Sequence, residues 1–351
     1  MTEPPAAPTR ARGHRLRGAL RLVIGLAVAV GVLWVVSGKR SELEGALSYL
    51  SHLRWQWLVL AVVAEFLALV SFGALQRQLL EAGGAPMGLG VLTAIAFAGN
   101  AIENSLPAGP LWSNVWAFRQ FRRRGADEVL AVWTLFATSV LSAASLAAVA
   151  ALGLLVARND DVVLDLALVA GTGVLLLLVL RYLLRRHQWT LAVGASAIRL
   201  AQRVVRRPKG DARALVDEGW RRLTAVTPSR PTWTLGFSFA AANWLWDALA
   251  LALAFAAVGS GVPWRSLLLA YGAAQLAINV PITPGGLGVV EGSLTIALVA
   301  YGGNREATVA TVVLYRLISF WGLLAVGWLS WAGLALRARR SPVATTVERT
   351  P

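Results

Sequence analysis

Five ionisable side chains lie inside apolar stretches of the chain: Glu65, Glu103, Asp247, Glu291 and Arg316. A charged Arg or Asp at the centre of a membrane helix costs about 2.5 to 3.5 kcal/mol on insertion scales, so each such residue needs a partner or a wet cavity. Arg316 stands nine residues into the last apolar segment, Ala307 to Leu336, where its guanidinium cannot easily reach the surface. It can hold a lipid phosphate bidentately, or pair with Glu291 or Asp247 to fix the fold; both readings stand. Glu291 can gate, exchange a proton or counter a cationic headgroup, or simply pin a bend by hydrogen bonding. Asn243 and Asp247 are one helical turn apart on one face, as an inward-facing polar pair should be.

What positions these groups is a break in the chain. Between the apolar arms Trp264 to Val280 and Leu287 to Tyr301 stand Pro281, Pro284, Gly285, Gly286 and Gly288. Proline removes a backbone donor and glycine loosens the chain, so a continuous membrane helix cannot easily pass. With ~20 residues needed to span, each arm is short, and the pair reads as a re-entrant hairpin over 264–302. Irregular backbone at membrane depth survives only when buried in protein or lining a wet cavity, which makes the break a candidate site. Asn279 and Thr283 are then polar lining. A second broken segment, 88–121, bends at Pro107, Gly109 and Pro110 and offers Asn100, Glu103, Asn104 and Asn114. The alternative is that these side chains only satisfy freed backbone groups.

The run Pro281-Ile282-Thr283-Pro284-Gly285-Gly286-Leu287-Gly288-Val289-Val290-Glu291, followed by Tyr315-Arg316, resembles the signature of the lysylphosphatidylglycerol synthase transmembrane-region family, a flippase-like membrane domain. The resemblance implies lipid translocation, since family members move an aminoacylated phospholipid between leaflets. The first half departs from the pattern. Pro110 stands where a further glycine is common, and Thr138-Ser139 occupy the place of a carboxylate-arginine pair, which leaves headgroup binding at the first hairpin open. With no soluble acyltransferase-like domain after the spans, aminoacyl-lipid synthesis is not expected.

Composition agrees with a membrane protein. Of 351 residues, 57% are hydrophobic, and the net charge of +15 comes nearly all from arginine. Mean hydropathy is +0.61. The basic residues gather in a few loops, which suits a membrane face with anionic headgroups better than nucleic acid. There is no cysteine. The three histidines, His14, His52 and His187, lie in or beside loops, so neither a metal centre nor a cofactor is expected.

The expected fold is all-α: a polytopic integral membrane protein of about six full transmembrane helices plus two re-entrant helical hairpins in an inverted repeat. Residues 1–18 form a disordered basic N-terminus. The first membrane half, 19–184, holds spans at Leu22 to Ser37, Trp55 to Leu75, Val129 to Val156 and Val162 to Leu184. A basic amphipathic connector covers 185–231, and the second half, 232–336, has spans at Thr232 to Val258 and Ala307 to Leu336. A disordered tail, 337–351, follows. Counting each broken segment as an even number of crossings puts every strong arginine cluster on the side of both termini, the cytoplasmic face of a cell membrane. A shift of 177 residues lays Pro107 on Pro284 and carries Trp55 to Leu75 onto Thr232 to Ala252. Three net crossings separate the halves, so they have opposite orientation, a transporter architecture.

The function that follows is a lipid flippase or translocase rather than an enzyme. An integral-membrane transferase on a lipid-linked substrate wants clustered acids, and the tight acidic pair is Asp160-Asp161 in a short loop. A third reading is an accessory scaffold that positions a membrane enzyme through the connector. The lipid, the energy source and the oligomeric state are not encoded in a readable way.

Overall fold

The computed structural model describes residues 52–106, 108–157, 229–278 and 286–340. The expected first span, the span at 162–184, most of the basic connector and the tail beyond residue 340 lie outside the described residues. So do Pro107, Asn279, Pro281, Thr283, Pro284 and Gly285.

Among the described residues all regular structure is helical, with no strand. The helices are α1 (Trp55–Ala82), α2 (Leu89–Ser105), α3 (Gly109–Arg122), α4 (Glu128–Ala157), α5 (Arg230–Val258), α6 (Trp264–Ile278), α7 (Val289–Ala300) and α8 (Arg305–Arg316). A π-helical turn, Leu317–Gly322, then joins α8 to α9 (Leu323–Arg340) without a break. Among the described residues, four stretches are long and apolar enough to cross a membrane: Trp55–Ala82, Glu128–Val156, Arg230–Val258 and Arg305–Arg337. The remaining helices, of 17, 14, 15 and 12 residues, fall short of the ~20 residues a crossing needs.

Local chemistry sets the ends. The Leu130 N–H donates to Asp127 Oδ1 at 2.7 Å, satisfying a free amide at the start of α4. Asn304 does the same for α8, its Oδ1 accepting from the Ala307 N–H at 3.0 Å. Gly259, at φ +81°, ends α5 in the left-handed conformation that glycine adopts without strain. Between α2 and α3 the chain turns through Leu106, which is extended, and Ala108, which is left-handed at φ +54°. Gly109 then packs so closely on α2 that an added Cβ would lie 1.7 Å from the Glu103 carbonyl oxygen. That turn therefore requires glycine at 109. Pro110 sits in the first turn of α3, where no backbone donor is needed. The last helix runs past Leu336 to Arg340.

The order long, short, short, long occurs twice. The 177-residue shift carries Trp55 into α5 and Glu128 onto Arg305, the first residue of α8. The equivalent helices α1 and α5 form the most extensive helix pair and run antiparallel. The Arg54 N–H donates to the Ala257 carbonyl at 2.9 Å, while Asn243 Nδ2 donates to the Ala68 carbonyl at 2.9 Å. Each short first arm also packs against the long last helix of the other half, α2 on α9 and α6 on α4. Small residues permit both approaches. A Cβ on Gly327 of α9 would meet the Phe97 carbonyl oxygen at 2.4 Å, and one on Gly153 of α4 would meet the Leu269 amide nitrogen at 2.7 Å. In a membrane, where apolar burial gives little drive between helices, such close backbone packing is a main source of association.

Apolar side chains cover the outside as well as the core. Ile296 is 73% exposed and Leu329 72%, as lipid-facing residues should be.

Candidate functional site

Four helices converge on one carboxylate. Asp247, midway along α5, accepts from the Tyr315 hydroxyl of α8 at 2.6 Å on Oδ1. On Oδ2 it accepts from the Tyr271 hydroxyl at 2.7 Å and from Gln275 Nε2 at 3.0 Å, both on α6. Tyr271 and Gln275 are one helical turn apart, so a single face of α6 delivers both donors. From α1, Glu65 faces the same place: Asn243, one turn before Asp247, donates to the Ala68 carbonyl, one turn after Glu65, so the antiparallel register sets the two acids opposite each other. Tyr271 and Tyr315 are buried, at 1% and 4% exposure, which keeps this network largely out of contact with lipid. A carboxylate with several donors is the arrangement that makes buried charge tolerable.

The next residue along α8 starts a second cluster. Arg316 Nε donates to Glu291 Oε1 at 2.7 Å, an ion pair whose side chains are 11% and 28% exposed. Its guanidinium carbon lies 4.6 Å from the centre of the Phe320 ring, within the π-helical turn. A π turn widens the helix locally and is a frequent mark of functional sites in membrane and soluble helices alike. The other oxygen of Glu291 accepts from the Gly288 N–H at 2.6 Å, closing the first turn of α7. Gly288 is at φ +84° and Gly286 at φ +65°, so the approach to α7 uses two left-handed residues in quick succession. Glu291 therefore serves the bend and the arginine at once.

Of the residues the sequence points to, the structure brings together Asp247 with Tyr315, and Glu291 with Arg316. Of the two partners open to Arg316, it is Glu291 that forms the ion pair. Asn243 shares the face of Asp247 and holds α5 to α1 through the Ala68 carbonyl. The residues of the first broken segment are not part of this constellation. Asn104 Nδ2 donates to the carbonyl and Oδ1 of Asn100, one turn back on its own helix. Glu103 and Asn114 are exposed on α2 and α3. Ser105, at the end of α2, accepts from Trp328 Nε1 of α9 at 3.2 Å, which ties the first bend to the last long helix. Thr138, which takes the place of Tyr315 in the repeat, is buried, and Ser139, in the place of Arg316, donates to the Leu135 carbonyl.

Two participants escape the sequence reading as site residues: Tyr271 and Gln275. The signal was their spacing on an otherwise apolar arm.

Comparison with known proteins follows the same lines. A UPF0104 membrane protein of Methanothermobacter thermautotrophicus is 31% identical over 84 residues, which cover 24% of this chain and 25% of that protein. The chain thus spans about a quarter of the length of that relative. The family model for the lysylphosphatidylglycerol synthase TM region matches residues 22–327, nearly the whole described helical array and more. This chain belongs to the lysylphosphatidylglycerol synthase transmembrane region family.

Proposed function

We propose that this protein is a translocase that moves a phospholipid or lipid-linked substrate between membrane leaflets, with Arg316 as its phosphate contact and Glu291 as the group that holds Arg316 between substrates. The observation that carries this reading is the Arg316–Glu291 pair beside the break that precedes α7. A lipid phosphate offers the guanidinium the same planar, doubly accepting partner as a carboxylate, so one can replace the other without leaving a buried charge unpaired. Family membership supports a lipid-related role.

In this reading the two halves form an inverted repeat of about six spans and two re-entrant hairpins. The antiparallel run of α1 and α5, which correspond under the 177-residue shift, supports the inversion. Substrate meets the broken segments near the midplane, as in transporters of this general build. The termini and the arginine-rich connector lie on the cytoplasmic face of the cell membrane, against anionic headgroups. The protein performs no covalent chemistry and uses no cofactor.

The test is a fluorescent-phospholipid scrambling assay in liposomes. Arg316→Ala should abolish movement. Glu291→Gln should slow it, because the phosphate then lacks a competitor to release it. Wild-type rates in both variants would overturn the assignment.

A further inference from the structure

A hydrogen bond between two carboxyl groups requires a hydrogen on one of them, because an ionised carboxylate only accepts. Glu65 and Asp247 face each other across the α1–α5 interface, the most extensive helix pair of the fold: Asn243, one turn before Asp247, donates to the Ala68 carbonyl, one turn after Glu65. The oxygens of Asp247 already receive three donors, two tyrosine hydroxyls and the Gln275 amide. Glu65 is different. It is 4% exposed, and its Oε2 is buried with no donor reaching it among the described residues. A fully charged, donor-poor carboxylate in that place would be costly, whereas a carboxylic acid donating to Asp247 satisfies both groups.

We propose that Glu65 and Asp247 form a proton-binding site at the centre of the membrane domain, holding one hydrogen between them when α1 and α5 are packed together. The surroundings define what release means. The groups facing the pair are Tyr271 and Gln275 from α6 and Tyr315 and Arg316 from α8. Arg316 directly follows Tyr315, which donates to Asp247, and is itself held by Glu291 of α7. The helices α2 and α4, which also pack on α1, carry the carboxylates Glu103 and Glu128 towards their ends. The π-helical turn against α1 has no titratable side chain. On release, the O–H bond of the shared carboxyl breaks, its electron pair stays on the carboxylate, and the proton passes to water. Two adjacent carboxylates then repel, and the nearest countercharge is Arg316. Deprotonation of the pair thus competes with Glu291 for the arginine, whereas protonation leaves Arg316 to Glu291 and favours the packing of α1 against α5. This inference rests on the buried Glu65 carboxyl set opposite Asp247 by the α1–α5 register, and holds whether or not a lipid is the cargo.

Infrared difference spectroscopy on the full-length protein in lipid bilayers, perfused between acid and alkaline buffer, tests it. The wild type should show a protonated-carboxyl C=O band that is lost as pH rises. Glu65→Gln should remove that band while keeping an amide donor for Asp247, and Asp247→Asn should remove it independently. Proton uptake measured with an indicator dye should fall by a single proton per chain in each variant. A wild-type spectrum without such a titrating band overturns the proposal, as does a band unchanged in both variants. Loss of the band on adding sodium at constant pH assigns the pair to a metal cation instead and also overturns it.

Discussion

Arg316→Ala and Glu291→Gln, made singly and together, form a thermodynamic cycle that weighs the central ion pair. The pair is short, 2.7 Å, and its side chains are 11% and 28% exposed. Fully exposed pairs contribute at most about 1 kcal/mol. Breaking a fully buried one costs about 3 to 5 kcal/mol, because a charge is left without a partner. Here Arg316→Ala leaves a carboxylate that reaches water and retains the Gly288 N–H at 2.6 Å, so the expected loss lies between those limits, at about 2 kcal/mol. Glu291→Gln keeps an acceptor for that N–H and should cost about 1 kcal/mol. If the two residues act through each other, the double variant should lose about 2 kcal/mol rather than about 3 kcal/mol, a coupling near 1 kcal/mol. Unfolding in mixed detergent micelles, followed by the fluorescence of the 15 tryptophans, gives these values. A coupling below about 0.3 kcal/mol is within ordinary additivity and would refute the argument that Glu291 holds Arg316.

Three further outcomes follow from the packing. Tyr315→Phe removes one of the donors to Asp247 without changing shape, and should lower stability by about 1 kcal/mol in the same unfolding assay; Tyr271→Phe should do likewise. Gly109→Ala places a Cβ 1.7 Å from the Glu103 carbonyl, so the turn must open, with loss on the order of 3 kcal/mol, whereas Gly90→Ala meets nothing within 4 Å and should be neutral or slightly stabilising. Gly327→Val forces α9 away from Phe97 and Ala101 of α2; a cysteine pair introduced across that contact should crosslink readily in the otherwise wild-type chain and poorly in the variant.

Much of the architecture is carried by local sequence. Apolar runs of sufficient length declare the long helices, because nothing shorter crosses a bilayer and nothing more polar enters it. The prolines and glycines at 107–110 and 281–288 mark where helices cannot continue, and the helical segments on either side of each break end and restart close to the expected bounds. The 177-residue correspondence was also legible, since it rests on the order and spacing of elements rather than on residue identities. The α1–α5 crossing was not, although both helices were expected. Which face of an all-apolar helix meets which neighbour is set by packing, and a helix hydrophobic on every side carries little periodic signal to read.

The site divides in the same way. The chain by itself marked Arg316, Glu291 and Asp247, because an ionisable group in an apolar run is costly wherever it sits and so is conspicuous without any structure. Tertiary structure chose the partners. It gave Arg316 to Glu291, surrounded Asp247 with Tyr271, Gln275 and Tyr315, and set Glu65 from the first half against Asp247 from the second. These contacts join residues far apart along the chain, and their geometry depends on how antiparallel helices register side by side. Local propensity contains no term for that register; close packing of whole helices does.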